Sequence, residues 1–416
     1  GVIACALFGT ISGSAVACVA ATGAIIVPLM IKMKYDKVFA AAAISSAAIG
    51  GQIMPPVMAA GAFLMAEFLG VPYFEIMKAA TIPALMYFLT IWISIDSNAG
   101  KMGLVGLSRD EMPRFSSVFK KDWPLLLPVV LLIVLLVVFK YSAIMCAFYA
   151  IVAGFVVCMI DSRRRLSLKE ILNTMAAAAK GIAPTACACA CAGIVIGVIG
   201  LTGLGLKIST IIISFSGGYV LLALILSMVT AILFGMGLPT TVSYLLCVAV
   251  LSPALINMGV LPMAAHMFIF YFACLSGITP PVALAAYTAS GIAGTSPLKT
   301  ASEGTKLAVI AFFVPYMFVF NKAFLMQGSI LEILWASAVG IATCFAIAGF
   351  MQGWLVMRLN LLMRAAFLFI SAFLMIQHKV LDVVGLASFA AAVFFLKLKA
   401  NKERRISSKE GVDDEL

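Results

Sequence analysis

Four short stretches of this sequence join glycine, hydroxyl side chains and proline in combinations that can do chemistry. They are Ser12-Gly13-Ser14, Gly50-Gly51-Gln52-Ile53-Met54-Pro55-Pro56, Gly235-Met236-Gly237-Leu238-Pro239-Thr240-Thr241 and Ser276-Gly277-Ile278-Thr279-Pro280-Pro281. Each interrupts a long apolar run. A proline inside a helix removes one backbone donor and frees the carbonyl one turn earlier, which is tolerated at membrane depth only inside protein or against a polar cavity. Hydroxyls and free carbonyl oxygens at one depth are what a hard cation takes as ligands. Half-helix C-terminal ends add partial negative charge, whereas N-terminal ends suit an anionic group. On this pattern Ser12 and Ser14 with Gly51, Met54 and Pro56 form one oxygen cage. Gly237, Thr240 and Thr241 with Gly277 and Thr279 form the other. The competing reading of each hydroxyl is a bond back to its own helix, the usual state of an isolated Ser or Thr in a membrane.

Carboxylates are scarce within the apolar runs. Asp96, Glu332 and Asp382 stand near segment ends, where charge is easily solvated. The pattern therefore predicts sodium as the coupling ion, with no proton relay. His266 lies in the half-helix before Pro280-Pro281 and reads equally as a packed histidine, and Lys180 and Lys207 read as snorkelling side chains. Cys187, Cys189 and Cys191 cannot share one helix face, so they predict small-residue packing and no metal site. No GxSxG, HExxH, Walker or GxGxxG context occurs, which speaks against an enzyme or an ATPase.

The elements that must position these residues are helices in a bilayer. Of 416 residues 64% are hydrophobic and 11% charged, with a mean hydropathy of +1.15. A soluble domain carries about 25% charged residues, so an all-α polytopic membrane protein is predicted. The net charge of +11 lies in short clusters between apolar runs, a topology signal that calls for no nucleic acid. Lys32 to Lys37, Lys101 to Lys121, Arg163 to Lys169, Lys299 with Lys306, Arg358 with Arg364 and the tail from Lys397 read as cytoplasmic. That alternation requires 1–31 and 219–257 to be hairpins that enter and leave on one side.

The chain also repeats itself. Leu7-Phe8-Gly9 with Ser14 and Val16 matches Leu233-Phe234-Gly235 with Thr240 and Val242 at an offset of 226, and Pro55-Pro56-Val57 matches Pro280-Pro281-Val282 at 225. Five predicted crossings separate the copies, which would turn the second upside down. Inverted repeats with broken helices at mid-depth are the signature of a secondary transporter. Another inverted-repeat symporter working without a binding protein, and an ion channel, are the alternatives that this pattern leaves.

The motifs Phe8-Gly9-Thr10-Ile11-Ser12-Gly13-Ser14, Ile26-Val27-Pro28-Leu29-Met30, Tyr35-Asp36-Lys37 and Gly50 to Pro56 resemble the first half of the large membrane subunit of tripartite ATP-independent periplasmic (TRAP) transporters. Gly235 to Thr241 and Gly277 to Val282 resemble the second half. The resemblance covers about residues 1–320. It implies an elevator-type carrier in the bacterial or archaeal cytoplasmic (inner) membrane, with two re-entrant hairpins and two broken helices, importing an organic anion with sodium. It also implies delivery by a periplasmic solute-binding protein, and it carries the sodium assignment onto the residues of both cages, except Thr241. The family often has Ser after the first Pro-Pro, where Val57 stands here. The helices beyond 320 look like the fused type that pairs with TAXI binding proteins, with the small membrane subunit fused ahead of a chain expected to be truncated at Gly1. The expected layout is therefore a first hairpin and broken helix in 1–66, scaffold helices in 67–218, a second hairpin and broken helix in 219–293, and a closing helix in 294–320. Peripheral helices follow in 321–397 and a cytoplasmic tail in 398–416, basic at its start and disordered at its end.

Overall fold

A computed structural model describes residues 1–104, 119, 122–160 and 165–413, and the side chains of that range as far as residue 400, apart from Leu206. The basic residues Arg109, Arg114, Lys120, Lys121, Arg163 and Arg164 fall outside it. The described residues are helical and contain no strand. Seven helices are long and apolar enough to cross a membrane, or eight if one bent pair is a single span. The chain is an all-α polytopic membrane protein.

The first repeat starts with α1 (Val2–Ser12), which stops where Gly13 adopts φ +61°, a left-handed conformation that favours glycine. The chain turns back at once into α2 (Ala15–Lys32), because Ser14 caps the new helix by accepting from the Ala17 N–H. Asp36 caps α3 (Lys37–Ile53) in the same way, accepting from the Val38 and Phe39 N–H groups at 2.9 and 3.0 Å. Pro55-Pro56, joined by a cis peptide, ends α3, and the chain resumes as α4 (Gly61–Leu69) before the long α5 (Tyr73–Met102).

After α5 come α6 (Leu127–Val137) and α7 (Ala143–Ile160), packed on each other, then α8 (Leu168–Thr202), a 35-residue helix opened by a Ser167/Glu170 capping box. Gly203 turns α8 into α9 (Leu204–Phe215), a twelve-residue helix absent from the expected run of crossings.

The second repeat retraces the first. α10 (Val220–Gly235) and α11 (Thr240–Asn257) form a hairpin, and α12 (Pro262–Leu275) meets the cis Pro280-Pro281 break before α13 (Leu284–Ala293). Even the strained backbone recurs. Met58 at φ +62° and Ala283 at +40° occupy the same place after the two breaks. The expected closing helix is two pieces, α14 (Pro297–Leu307) and a segment ending in α15 (Val314–Phe320), bent by 71° with respect to each other.

The half-helices before the breaks are the most enclosed parts of the molecule. Every residue of α3 from Phe39 to Ile53 and of α12 from Ala264 to Leu275 is buried. α3 owes this to small residues, so that α1, α13, α14 and α5 all pack closely around it. α16 (Ile330–Gln352) joins the same core through α5, with the Cys344 thiol donating to the Met86 carbonyl and Gly340 against the Met86 sulfur. α17 (Leu361–Met375) and α18 (Lys379–Asp413) share a smaller cluster with α16. α18 continues through Asp413, well past the expected start of the tail.

Two expectations about carboxylates part company here. Asp96 and Glu332 are exposed, and Glu332 closes a capping box with Ser329. Asp382 is 3% exposed, with one oxygen 3.4 Å from the Trp335 indole N–H and the other without a hydrogen-bond partner. Its position in the first turn of α18 suggested easy solvation. The turn faces α16, and that packing removes the water.

Candidate functional site at the meeting of the two repeats

Both hairpin tips and the first break converge on one side chain. The Gln52 amide, one residue before the end of α3, donates to the Thr240 hydroxyl at 2.8 Å and points its N–H toward the Gly13 carbonyl at 3.4 Å. Gly13 is the tip of the first hairpin and Thr240 opens α11 at the tip of the second. The orientation follows from chemistry, since a flipped amide would set its oxygen against the Gly13 oxygen. The Gln52 carbonyl oxygen is left buried and without a hydrogen-bond partner.

The tips are seated on the breaks by close backbone approach. A Cβ on Gly9 would lie 2.5 Å from the Gly51 Cα, and one on Gly13 would lie 2.4 Å from the Met58 oxygen. Val57 N–H donates to the Thr10 carbonyl at 3.2 Å. The second repeat uses a variant of the same contact, in which Ser276 donates to the Gly235 carbonyl at 3.1 Å. A Cβ on Gly235 would meet that hydroxyl at 2.4 Å. Ser243, one turn into α11, has a buried hydroxyl without a partner.

The proposed ligands of the first cage lie at these contacts. Ser12 is exposed, and its hydroxyl is 3.4 Å from the Ser14 N–H, while the Ser14 hydroxyl serves as the cap of α2. Pro55 has no N–H to give the Gly51 carbonyl, so that oxygen loses its helical donor. Met54 leaves the helix in an extended conformation, and the Pro56 carbonyl accepts from the Tyr73 hydroxyl at 3.2 Å.

Those of the second cage divide. Gly237 makes the tip turn at φ +77°, Thr240 is bound to Gln52, and Thr241 is buried behind it. Thr279 bonds back to the Leu275 carbonyl at 2.8 Å, the bland alternative foreseen for such hydroxyls. The Gly277 carbonyl accepts from the Ala285 N–H at 3.0 Å. The carbonyl that loses its donor to Pro280 belongs to Ser276, the repeat counterpart of Gly51.

Sequence reasoning drew two separate cages and left Gln52 and Ser276 out of both. Gln52 stood in plain view within Gly50-Gly51-Gln52, but its repeat counterpart is Gly277, so a search for matched residues passed over it. His266 is a packed histidine, held by the Tyr244 hydroxyl at 2.8 Å and the Ser252 hydroxyl at 3.0 Å.

A cavity of about 870 Å³ opens beside the first break, bounded by Val57, Phe63 and Tyr73 on one side and by Lys140, Tyr141 and Ser142 of the α6–α7 turn on the other. Glu67 shares the lining.

The family profile described as tripartite ATP-independent periplasmic transporter, DctM component, matches residues 1–333. The chain is 24% identical over 301 residues to an isethionate TRAP transporter permease protein of Oleidesulfovibrio alaskensis, covering 70% of this chain and 45% of that one. It is 25% identical over 297 residues to a 2,3-diketo-L-gulonate TRAP transporter large permease protein of Escherichia coli, covering 70% and 68%. It is 30% identical over 145 residues to a C4-dicarboxylate TRAP transporter large permease protein of Rhodobacter capsulatus, covering 32% and 33%. The chain thus spans less than half the length of the first and third of these relatives. With four-fifths of its length inside one family profile and the same two broken-helix repeats inside that match, the chain belongs to the DctM component family of tripartite ATP-independent periplasmic transporters.

Proposed function

We propose that this chain is the carrier subunit of a secondary transporter that imports a small organic anion together with sodium. The observation that carries the reading is the convergence of both tips and the first break on Gln52. Acceptors that a hard cation would satisfy belong to the same tips and breaks: the unpartnered Gln52 side-chain oxygen, the Ser243 hydroxyl, and the Gly51 and Ser276 carbonyls whose helical donor proline removes. A buried acceptor left unsatisfied costs about 1–3 kcal/mol, which a bound cation would recover. Sodium is cargo in this reading, moving with the substrate.

The cavity beside Val57 falls in the usual range of small-molecule sites, roughly 300–1,000 Å³. Lys140 offers the cation for a carboxylate, and Glu67 in the same lining makes the Lys140 end the favoured one. The remainder of the reading follows the family. A periplasmic binding protein, of TAXI type, delivers the anion, a small membrane subunit is fused to the carrier, the second repeat is inverted with respect to the first, and the hairpin-bearing unit moves as an elevator in the inner membrane. The names of the relatives, permeases for isethionate, 2,3-diketo-L-gulonate and C4-dicarboxylates, support an organic acid as cargo.

The test is uptake by the full transporter reconstituted with its binding protein. Replacing sodium by choline at fixed pH should abolish uptake, and unchanged uptake would refute sodium coupling.

A further inference from the structure

A second cavity, of about 580 Å³, lies far along the chain from the transport repeats, between the turn that links α16 to α17 and the Lys399-Ala400 stretch of α18. Its lining separates by chemistry. Among the described residues, Arg358 and Lys399 bring two positive charges and no carboxylate lines it. Asn360 caps α17, its oxygen accepting from the Met363 N–H at 2.9 Å, which leaves its amide N–H2 as a donor at the positive end of that helix. Val356 and Leu359 supply apolar wall, and Trp354 closes one side, its indole against Gly100 of α5. Just outside, Leu361 and Leu362 are each 82% exposed, as side chains bathed in hydrocarbon are.

Arg364 shows by contrast what a structural arginine looks like here. It donates to the Phe350 carbonyl at 2.9 Å and lies over the Phe350 ring, whereas Arg358 is exposed.

Two cations, amide N–H groups at a helix start and an adjoining apolar wall at the end of three apolar helices make a place for a phosphate attached to a hydrocarbon tail. We propose that this pocket binds the phosphate headgroup of an anionic phospholipid, with Arg358 and Lys399 on the phosphate and the acyl chains running along α17 and α18. A free phosphate ester shares the headgroup chemistry but gains nothing from the apolar wall and the exposed leucines.

Titration of the purified full chain in detergent with phosphatidylglycerol, read by native mass spectrometry as retained lipid, tests this. Phosphatidylglycerol should be retained more strongly than phosphatidylcholine, and Arg358→Gln and Lys399→Gln should each weaken retention about fivefold, the usual effect of one basic residue at an anionic surface. Lys397→Gln, an exposed neighbour outside the pocket, should leave retention unchanged. Glycerol phosphate at millimolar concentration should not displace the lipid. Equal retention of both lipids, indifference to the two substitutions, an equal loss with Lys397→Gln, or displacement by glycerol phosphate would each overturn the proposal.

Discussion

Gln52 is the residue on which the reading turns, because its amide touches the tips of both repeats. Gln52→Leu removes the donors and the unpartnered oxygen together and should cut uptake by more than tenfold at normal membrane abundance. Thr240→Ala should raise the sodium concentration needed for half-maximal uptake several-fold, and Thr240→Ser, which keeps the hydroxyl, should restore it. Equal sodium dependence in the two variants would remove Thr240 from the site. Met58 carries a different demand. It is held at φ +62°, where glycine is at ease and a side chain is not, so Met58→Gly should be tolerated and Met58→Val should lower thermal stability. The two variants separate backbone strain from the loss of the Met58 side chain, which is buried.

Among the elements, α1 and α3 pack backbone against backbone, where Gly9 and Gly51 face each other with no room for a methyl group. Gly9→Ala and Gly51→Ala should each destabilise the purified protein by about 1–3 kcal/mol, read as a lowered melting temperature. Gly193→Ala in α8, with open space around it, should be neutral or slightly stabilising. The hairpins and the breaks were legible in the sequence because glycine, serine and proline act locally, and their effect does not wait for tertiary structure. The orientation of a long side chain does wait for it, which is why the contact of Gln52 with Thr240 and the bond of Thr279 back to Leu275 could not be read from spacing. Asp382 failed for a related reason. Distance from a segment end is a one-dimensional measure, while burial against Trp335 is set by which face of α18 meets α16.

For the whole molecule, the order of elements allows a check on sidedness. If the second repeat is inverted, single cysteines placed within 32–37 and within 258–261 should react with an impermeant thiol reagent from opposite sides of the membrane. Reaction from the same side would mean that α9, the helix added between α8 and the second hairpin, contributes a crossing. Truncation after residue 400 should spare sodium-driven uptake, since the described contacts of α18 with the core precede that point. Loss of uptake by a truncated chain of normal abundance would bring the end of α18 into the mechanism.

The pairing of Gln52 with Gly277 across the repeat has a consequence for descent. The two copies match in sequence, yet they hold unlike halves of a single contact. The first brings the amide, and the second brings the hydroxyl at Thr240. At position 277 even a bare Cβ would come to 3.0 Å from the Ile49 terminal methyl, so a glutamine there would have to push that side chain aside. A chain built by joining the first half to itself would carry two amides, each facing a serine in place of Thr240, and one built from the second half alone would carry no amide at all.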